Sequence, residues 1–333
     1  MGNLFEGGGR VFVTGGTGFF GRALLRYLTA KEDGGGKVPL VTVLSRAPER
    51  FLTEYPEFNG RAWLSFEKGD TSELSLLPDL GAFTHVLHAA TDSTRGPQMS
   101  PLDRYDQIVT GTRMALDFAR KSRAKRFLLT SSGGVYGPQP EDMQEISEDW
   151  HAIPDPLNPY QAYSMAKRAA EHLTTIYSHA FNIETVIARC FAFVGEDLPL
   201  DAHFAIGNFI RDALHGDAIH VNGNGSPLRS YMYQGDLAHW LWVMLDRGAD
   251  NRAYNVGSDQ PTSILDLAVR VRDLLAPEKP ILMGGGADGH QGRNRYIPSI
   301  IRAKEELGLT VDTPLSDAIL RTVSQMPVNA WPV

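Results

Sequence analysis

The chain carries one cysteine in 333 residues, Cys190, which excludes an intrachain disulfide and a multi-cysteine metal centre. No histidine neighbours Cys190, so it reads as a buried strand residue rather than an activated thiol. Long apolar runs are also lacking, and none approaches the roughly 18–20 residues that cross a bilayer. Excess positive charge is lacking too. Against 39 Asp and Glu there are 32 Lys and Arg, a net charge of −7 with no basic tail or stripe to offset it. That balance argues against nucleic acid as the main ligand, but it leaves room for a phosphate-bearing one held by local arginines and helix N-termini. The opening MGNLFEGGGR has no charged segment ahead of an apolar one, so no signal peptide is expected. Glu6 stands where a myristoylation signal wants Ser or Thr. A cytoplasmic protein with no membrane partner is expected.

What is present is ordinary soluble composition, 42% hydrophobic and 21% charged, in a chain long enough for one large core or two unequal domains. Short apolar runs at Arg10–Thr14, Leu40–Ser45, Trp63–Lys68, His85–Ala89, Arg126–Ser131 and Thr185–Arg189 read as strands. Helical patterns lie between them at Gly18–Ala30, Asp103–Lys121 and Tyr160–Ala180. Near-continuous apolar strands alternating with helices predict a parallel sheet covered on both faces, a doubly wound α/β fold. From about Phe191 the rhythm loosens, so 1–190 is expected to form a dinucleotide-binding domain of Rossmann type. Residues 191–333 are expected to form mainly a smaller α/β substrate lobe, with some segments returning to the main sheet. Thr262 or Ser263 caps a helix there, and MPVNAWPV reads as an irregular tail. No internal repeat is visible.

Two patterns carry chemistry. Gly15, Gly18 and Gly21 follow the strand Val11–Thr14 and open a helix. The first glycine permits a tight turn, the second close approach of backbone to a pyrophosphate, and the third close packing of helix on strand. Phosphates then sit on the helix N-terminus. Tyr163 and Lys167 are the second pattern, four residues apart in YQAYSMAKRAA and on one helix face. A nearby ammonium lowers a phenol pKa towards the range of a general base. Asp70, after a strand, suits contact with an adenine, a helix N-cap, or both. At the end of the second strand an NAD-preferring protein carries an acid for the ribose 2′-hydroxyl, but here Ser45 and Arg46 stand. That pair suits a 2′-phosphate, and Arg46 equally reads as a solvated surface arginine. The cofactor is thus NAD or NADP.

Taken in order, TGGTGFFG (14–21), GD (69–70), HAAT (88–91), SSGGVYG (131–137), YSMAK (163–167), RSYMYQGDLA (229–238) and YNVGS (254–258) resemble the extended short-chain dehydrogenase/reductases, specifically their nucleotide-sugar epimerase/dehydratase branch. The resemblance covers almost the whole chain. It implies Tyr163 as general base, Lys167 on the nicotinamide ribose, and Ser132 on the reacting sugar hydroxyl. It implies cofactor contacts from Gly15, Thr17, Gly18, Phe19, Phe20, Gly21, Ser45, Arg46, Asp70, Thr71, Ala89, Ala90 and Thr91, besides Tyr163 and Lys167. Substrate contacts are implied for Ser132, Gly133, Asn208, Arg229 and Arg295, with Tyr296 in the same segment as Arg295. His88 reads as structural. No metal is implied, and the partner is a nucleotide-diphosphate sugar. The helices at 103–121 and 160–180 match elements through which relatives form homodimers.

The chain also departs from the family. Dehydratases of this branch carry an Asp–Glu pair after the Ser/Thr, and decarboxylases keep the Glu, but here Gly133 and Gly134 stand. Glycine moves no proton. Ile108, Ala192 and Ser299 replace polar residues common in relatives. Epimerisation through a transient keto-sugar is therefore the expected reaction. A 4,6-dehydratase would need another acid such as Glu145, an NADPH-dependent keto-sugar reductase would use the same Tyr and Lys, and a non-catalytic dinucleotide sensor would need neither.

Overall fold

A computed structural model describes residues 4–6, 8–91, 96–202, 204–284 and 294–326. Residues 1–3 and 7 of the opening and 327–333 of the tail, both interpreted above, lie outside the described residues. The first half runs β1 (Arg10–Thr14), α1 (Phe19–Asp33), β2 (Leu40–Ser45), α2 (Pro48–Glu54), β3 (Leu64–Lys68), β4 (His85–His88), α3 (Pro101–Lys121), β5 (Arg126–Ser132), α4 (Ala162–Phe181) and β6 (Glu184–Cys190). Each of the strands predicted from apolar runs appears within one residue of its expected bounds.

These strands form a parallel sheet in the order β3-β2-β1-β4-β5-β6, and the order reverses between β1 and β4. That switch point opens a crevice beyond the carboxyl ends of the strands, where open α/β sheets bind ligands. The strands are apolar throughout because both faces are covered. On β1, Val11 and Val13 enter one core with Leu24, Leu25 and Leu28 of α1, while Phe12 enters the other with Leu116 of α3 and Ala166 and Ala170 of α4. Alternate side chains of one strand thus hold both layers.

The second half runs β7 (Phe193–Val194), α5 (Ala205–His215), β8 (Ile219–Val221), β9 (Leu228–Arg229), β10 (Met232–Tyr233), α6 (Gln234–Arg247), β11 (Arg252–Val256), β12 (Thr262–Ser263), α7 (Ile264–Leu275), β13 (Ile281–Met283), β14 (Arg295–Tyr296), α8 (Ile301–Leu307) and α9 (Leu315–Gln325). Part of it completes the main sheet, since β11 pairs parallel with β6 as the seventh strand. Helix α6 is buried nearly all round, and Trp242 donates its indole N–H to the Leu24 carbonyl of α1 at 3.2 Å. The remainder gathers round its own core of Ile206, Phe209, Ile210, Leu267 and Val271. Ser263 caps α7 by accepting the Asp266 N–H.

Asn255, fully buried on β11, ties the sheet to the segment leading from β14 to α8. Its amide nitrogen donates to the carbonyls of Ile146 (2.8 Å) and Ser299 (3.0 Å), and its oxygen accepts from the Tyr136 hydroxyl at 2.8 Å. Replacing Asn255→Ala leaves those buried groups without these partners and should cost about 2–3 kcal/mol in urea unfolding. An unchanged midpoint would show that the segment is anchored elsewhere.

Candidate active site

A cleft of about 1270 Å³ follows the carboxyl ends of β1, β2, β4, β5 and β6. At β1 the glycine loop forms its floor. Gly15 has φ +75°, and a Cβ there would lie 2.6 Å from the Ala89 carbonyl carbon, so only glycine lets the two loops meet. Gly18 opens α1 with no side-chain cap and no acidic residue in the first turn. Within 4 Å a Cβ on Gly18 would meet only the Gly15 carbonyl, at 3.4 Å. By contrast α3 is capped by Ser100 and has Asp103 in its first turn. An uncapped helix N-terminus open to a cleft has the donors and the dipole to fit a pyrophosphate. Gly21 lies outside the cleft wall, where a Cβ would fall 2.1 Å from the Gly16 carbonyl carbon, so its role is packing.

The catalytic candidates meet where β5 faces α4. Tyr163, Lys167 and Glu171 form one stripe along α4 at successive four-residue steps. The Lys167 ammonium donates to Thr91 Oγ1 and to the Thr130 carbonyl, each at 2.9 Å. Ser132 hydrogen-bonds the Tyr163 phenol and accepts the Gly134 N–H at 3.0 Å. Glu171 accepts from Ser131 at 2.6 Å and from Arg189 at 2.8 Å. His88 bridges Thr14 (2.7 Å) and Thr112 (3.3 Å), and burial lowers its pKa to about 3, so it is a neutral structural residue. Burial likewise raises the Cys190 thiol to about 12, which rules out a thiolate nucleophile near neutral pH.

The electrostatics correct one expectation. The net shift of the Tyr163 phenol is upward rather than downward. Burial is the largest influence on the phenol and raises its pKa to about 12. The ammonium lies 6.0 Å from the ring centroid, turned towards the strand tips. The opposing influences are the Ser132 hydrogen bond and a different cation, Arg104 of α3, whose guanidinium carbon sits 4.3 Å over the ring centroid. Nothing local marks Arg104 in the sequence, because the contact exists only once α3 packs on α4.

Gly133 is filled from outside. A Cβ there would lie 2.6 Å from Phe191 Cζ and 2.7 Å from the Tyr296 hydroxyl, rings that themselves pack at 4.5 Å. Aromatic wall thus leaves no room for a side chain at 133. Glu145 is exposed and outside the cleft wall. Of the carboxylates in the wall, Asp70 accepts from Ser72, Asp103 from Ser100, and Asp197 from Arg22 and Gln234. Among the described residues Asp106 is the other acid in the wall.

The remaining expected residues divide. Thr17, Phe19, Phe20, Ser45, Arg46, Asp70, Thr71, Ala89, Ala90, Thr91 and Arg229 line the cleft, while Asn208, Arg295 and Gly133 do not. Strand alternation accounts for Arg295: β9 and β14 pair Leu228 with Arg295 and Arg229 with Tyr296. Arg229 and Tyr296 face the cleft, and Leu228 and Arg295 face a separate hollow behind it. Arg295 there bonds Gln144 Oε1 at 3.0 Å. Asn208 turns its amide nitrogen to the carbonyls of Ala202 (2.9 Å) and Leu200 (3.2 Å), fastening the loop before α5.

The sequence profile of the NAD-dependent epimerase/dehydratase family matches residues 11–257. The chain belongs to that family. Its relatives include two UDP-glucuronic acid decarboxylases of Arabidopsis thaliana, each 30% identical. Decarboxylase 4 matches over 90% of this chain, which spans 64% of that protein's length; decarboxylase 3 matches over 96% and 91%. In fold the chain is similar to a UDP-glucose 4-epimerase of Thermotoga maritima, with TM-score 0.80, 21% identity and coverage of 95% and 97%. It is also similar to a dTDP-glucose 4,6-dehydratase of Bacillus anthracis, with TM-score 0.77, 19% identity and coverage of 95% and 96%. Members of this family use a nicotinamide dinucleotide, and among the described residues no helix is long and apolar enough to cross a membrane.

The buried ammonium has a measurable signature. Lysine ionises near 10.5 when exposed, but burial lowers Lys167 to about 8. Between those values the unfolded chain binds more protons than the folded one, so stability rises with pH there. Below pH 8 both states are protonated and the full burial penalty is present. The unfolding free energy of the wild type, minus that of Lys167→Met, should climb from pH 8 to 10.5, approaching about 1.4 kcal/mol per pH unit. A flat difference would mean that the ammonium is solvated.

Proposed function

We propose that this chain is a nucleotide-diphosphate sugar epimerase working through a transient keto-sugar. The observation that carries the reading is the contrast at β5. Ser132, Tyr163 and Lys167 are assembled, while the position of an elimination acid is closed by Phe191 and Tyr296. Bound in the cleft, the nicotinamide supplies a hydride acceptor and donor for one sugar carbon. The protein's part is proton handling and orientation. Tyr163 takes the proton of the sugar hydroxyl as the alcohol becomes a ketone, and returns it when the ketone is reduced on its other face. Ser132 shares the hydrogen bond to that oxygen. Lys167, already desolvated, holds the cofactor's ribose and adds positive charge near the phenol. Arg104 stacks on the phenol ring and offsets part of the burial that holds it neutral. Arg229, in the cleft wall, suits the substrate's diphosphate.

The decarboxylase relatives favour a second reading. With a uronate, the same oxidation at C4 gives a β-keto acid. Breaking its carboxyl bond releases carbon dioxide, and a proton fills the vacated position before the ketone is reduced. No base at 133 or 134 enters that bond cleavage, although decarboxylases of the family keep a Glu where Gly134 stands.

A panel of UDP- and dTDP-sugars, with products resolved by NMR, separates the readings. An epimer with its carbon-bound hydrogen retained supports the first, and carbon dioxide from UDP-glucuronic acid supports the second. Tyr163→Phe should lower turnover about 10²–10⁴-fold while leaving dinucleotide affinity nearly unchanged. Survival of full activity in that variant would remove Tyr163 as the base.

A further inference from the structure

At the carboxyl tip of β2, where this fold places the adenosine ribose, the chain carries Ser45 and Arg46. Ser45 ends the strand, 6% exposed, with its hydroxyl accepting the Ala47 N–H at 3.3 Å. Arg46 follows with its side chain 81% exposed at the cleft rim, and among the described residues its ion pair is a loose 3.9 Å contact with Asp70. Exposed Lys68 is the register partner of Ser45 on β3. Asp70 is the carboxylate of the described residues at this end of the cleft. Its Oδ1 is engaged by the N–H and hydroxyl of Ser72 at 3.0 and 2.8 Å, where it caps the turn Thr71–Leu76. Among the described residues, the strand tip itself carries Ser45 and Arg46 in place of an acid.

We propose that Ser45 and Arg46 form a subsite for a ribose 2′-phosphate, so that the cleft selects NADP(H) over NAD(H). The proposal rests on the dinucleotide reading of the cleft and not on which sugar reaction follows. A guanidinium presents parallel N–H donors that match phosphate oxygens, and the serine hydroxyl adds a donor beside them. Bound NAD would offer Arg46 only neutral hydroxyls, with the loose Asp70 contact as its charge partner. Because Arg46 is solvent-facing and outside the cores, its replacement tests recognition without disturbing the fold.

The test is calorimetric titration of the full chain with NADP⁺ and with NAD⁺, for the wild type and for Arg46→Asp, with urea midpoints measured in parallel. The wild type should bind NADP⁺ at least about tenfold more tightly, the scale of a charge-assisted contact. Arg46→Asp should weaken NADP⁺ about ten- to a hundredfold and hold or strengthen NAD⁺, with the urea midpoint unmoved. Equal affinities in the wild type, tighter NAD⁺, or an unaltered ratio in the variant each overturn the proposal. Binding of neither dinucleotide would overturn the reading of the cleft itself, an outcome distinct from failure of the sugar panel.

Discussion

A buried ammonium is the constraint around which the centre of this molecule is arranged. Lys167 is 3% exposed, and its three N–H groups must find acceptors where water is scarce. Two acceptors are present, Thr91 beyond β4 and the Thr130 carbonyl of β5, so the requirement pins α4 to two strand tips at once. That fixes the height and rotation of α4. It places Tyr163 one turn earlier beside Ser132, and Glu171 one turn later against Ser131 and Arg189. Geometry useful for proton transfer and the satisfaction of a buried charge are here the same set of contacts.

The wall opposite is made of aromatic surface packed against Gly133. Gly133 and the pair Phe191 and Tyr296 form one device, since neither ring fits unless the residue at 133 lacks a side chain. The glycine is thus a packing requirement as well as a missing proton carrier. It also brings a second phenol near Tyr163, which raises the proton affinity of the first. Arg104 works in the other direction from the facing helix.

Much of this was legible in the residues alone, for a physical reason. Strands covered on both faces read as apolar runs, so their bounds were found to within a residue. The close approaches at Gly15 and Gly21 are steric demands that nothing but glycine meets, and Gly18 leaves the start of α1 open to the cleft. Contacts across separately encoded elements were not legible. Arg104 looks like any polar residue in a helix's first turn, and its stacking depends on how α3 crosses α4. Arg295 and Tyr296 are adjacent in sequence, yet strand alternation sends them to opposite sides of a two-residue strand. Asn208 carries a side chain suited to a ligand but spends it on its own loop. The net direction at Tyr163 was not legible either, because spacing shows which charges are near and not how much water burial removes.

The return of α6 and β11 to the first sheet bears on how the molecule comes into being. Trp242 meets Leu24 across 218 residues of chain, and β11 supplies the last neighbour of β6. Until residues 234–256 have been made, α1 displays an apolar face with no cover and β6 presents an open edge to any passing strand. The glycine loop and the Ser132–Tyr163–Lys167 centre are all translated before that cover exists. Synthesis therefore passes through a long interval in which the first half is complete as sequence but incomplete as structure. Protection of that face and edge is the demand this topology makes on the chain during its synthesis.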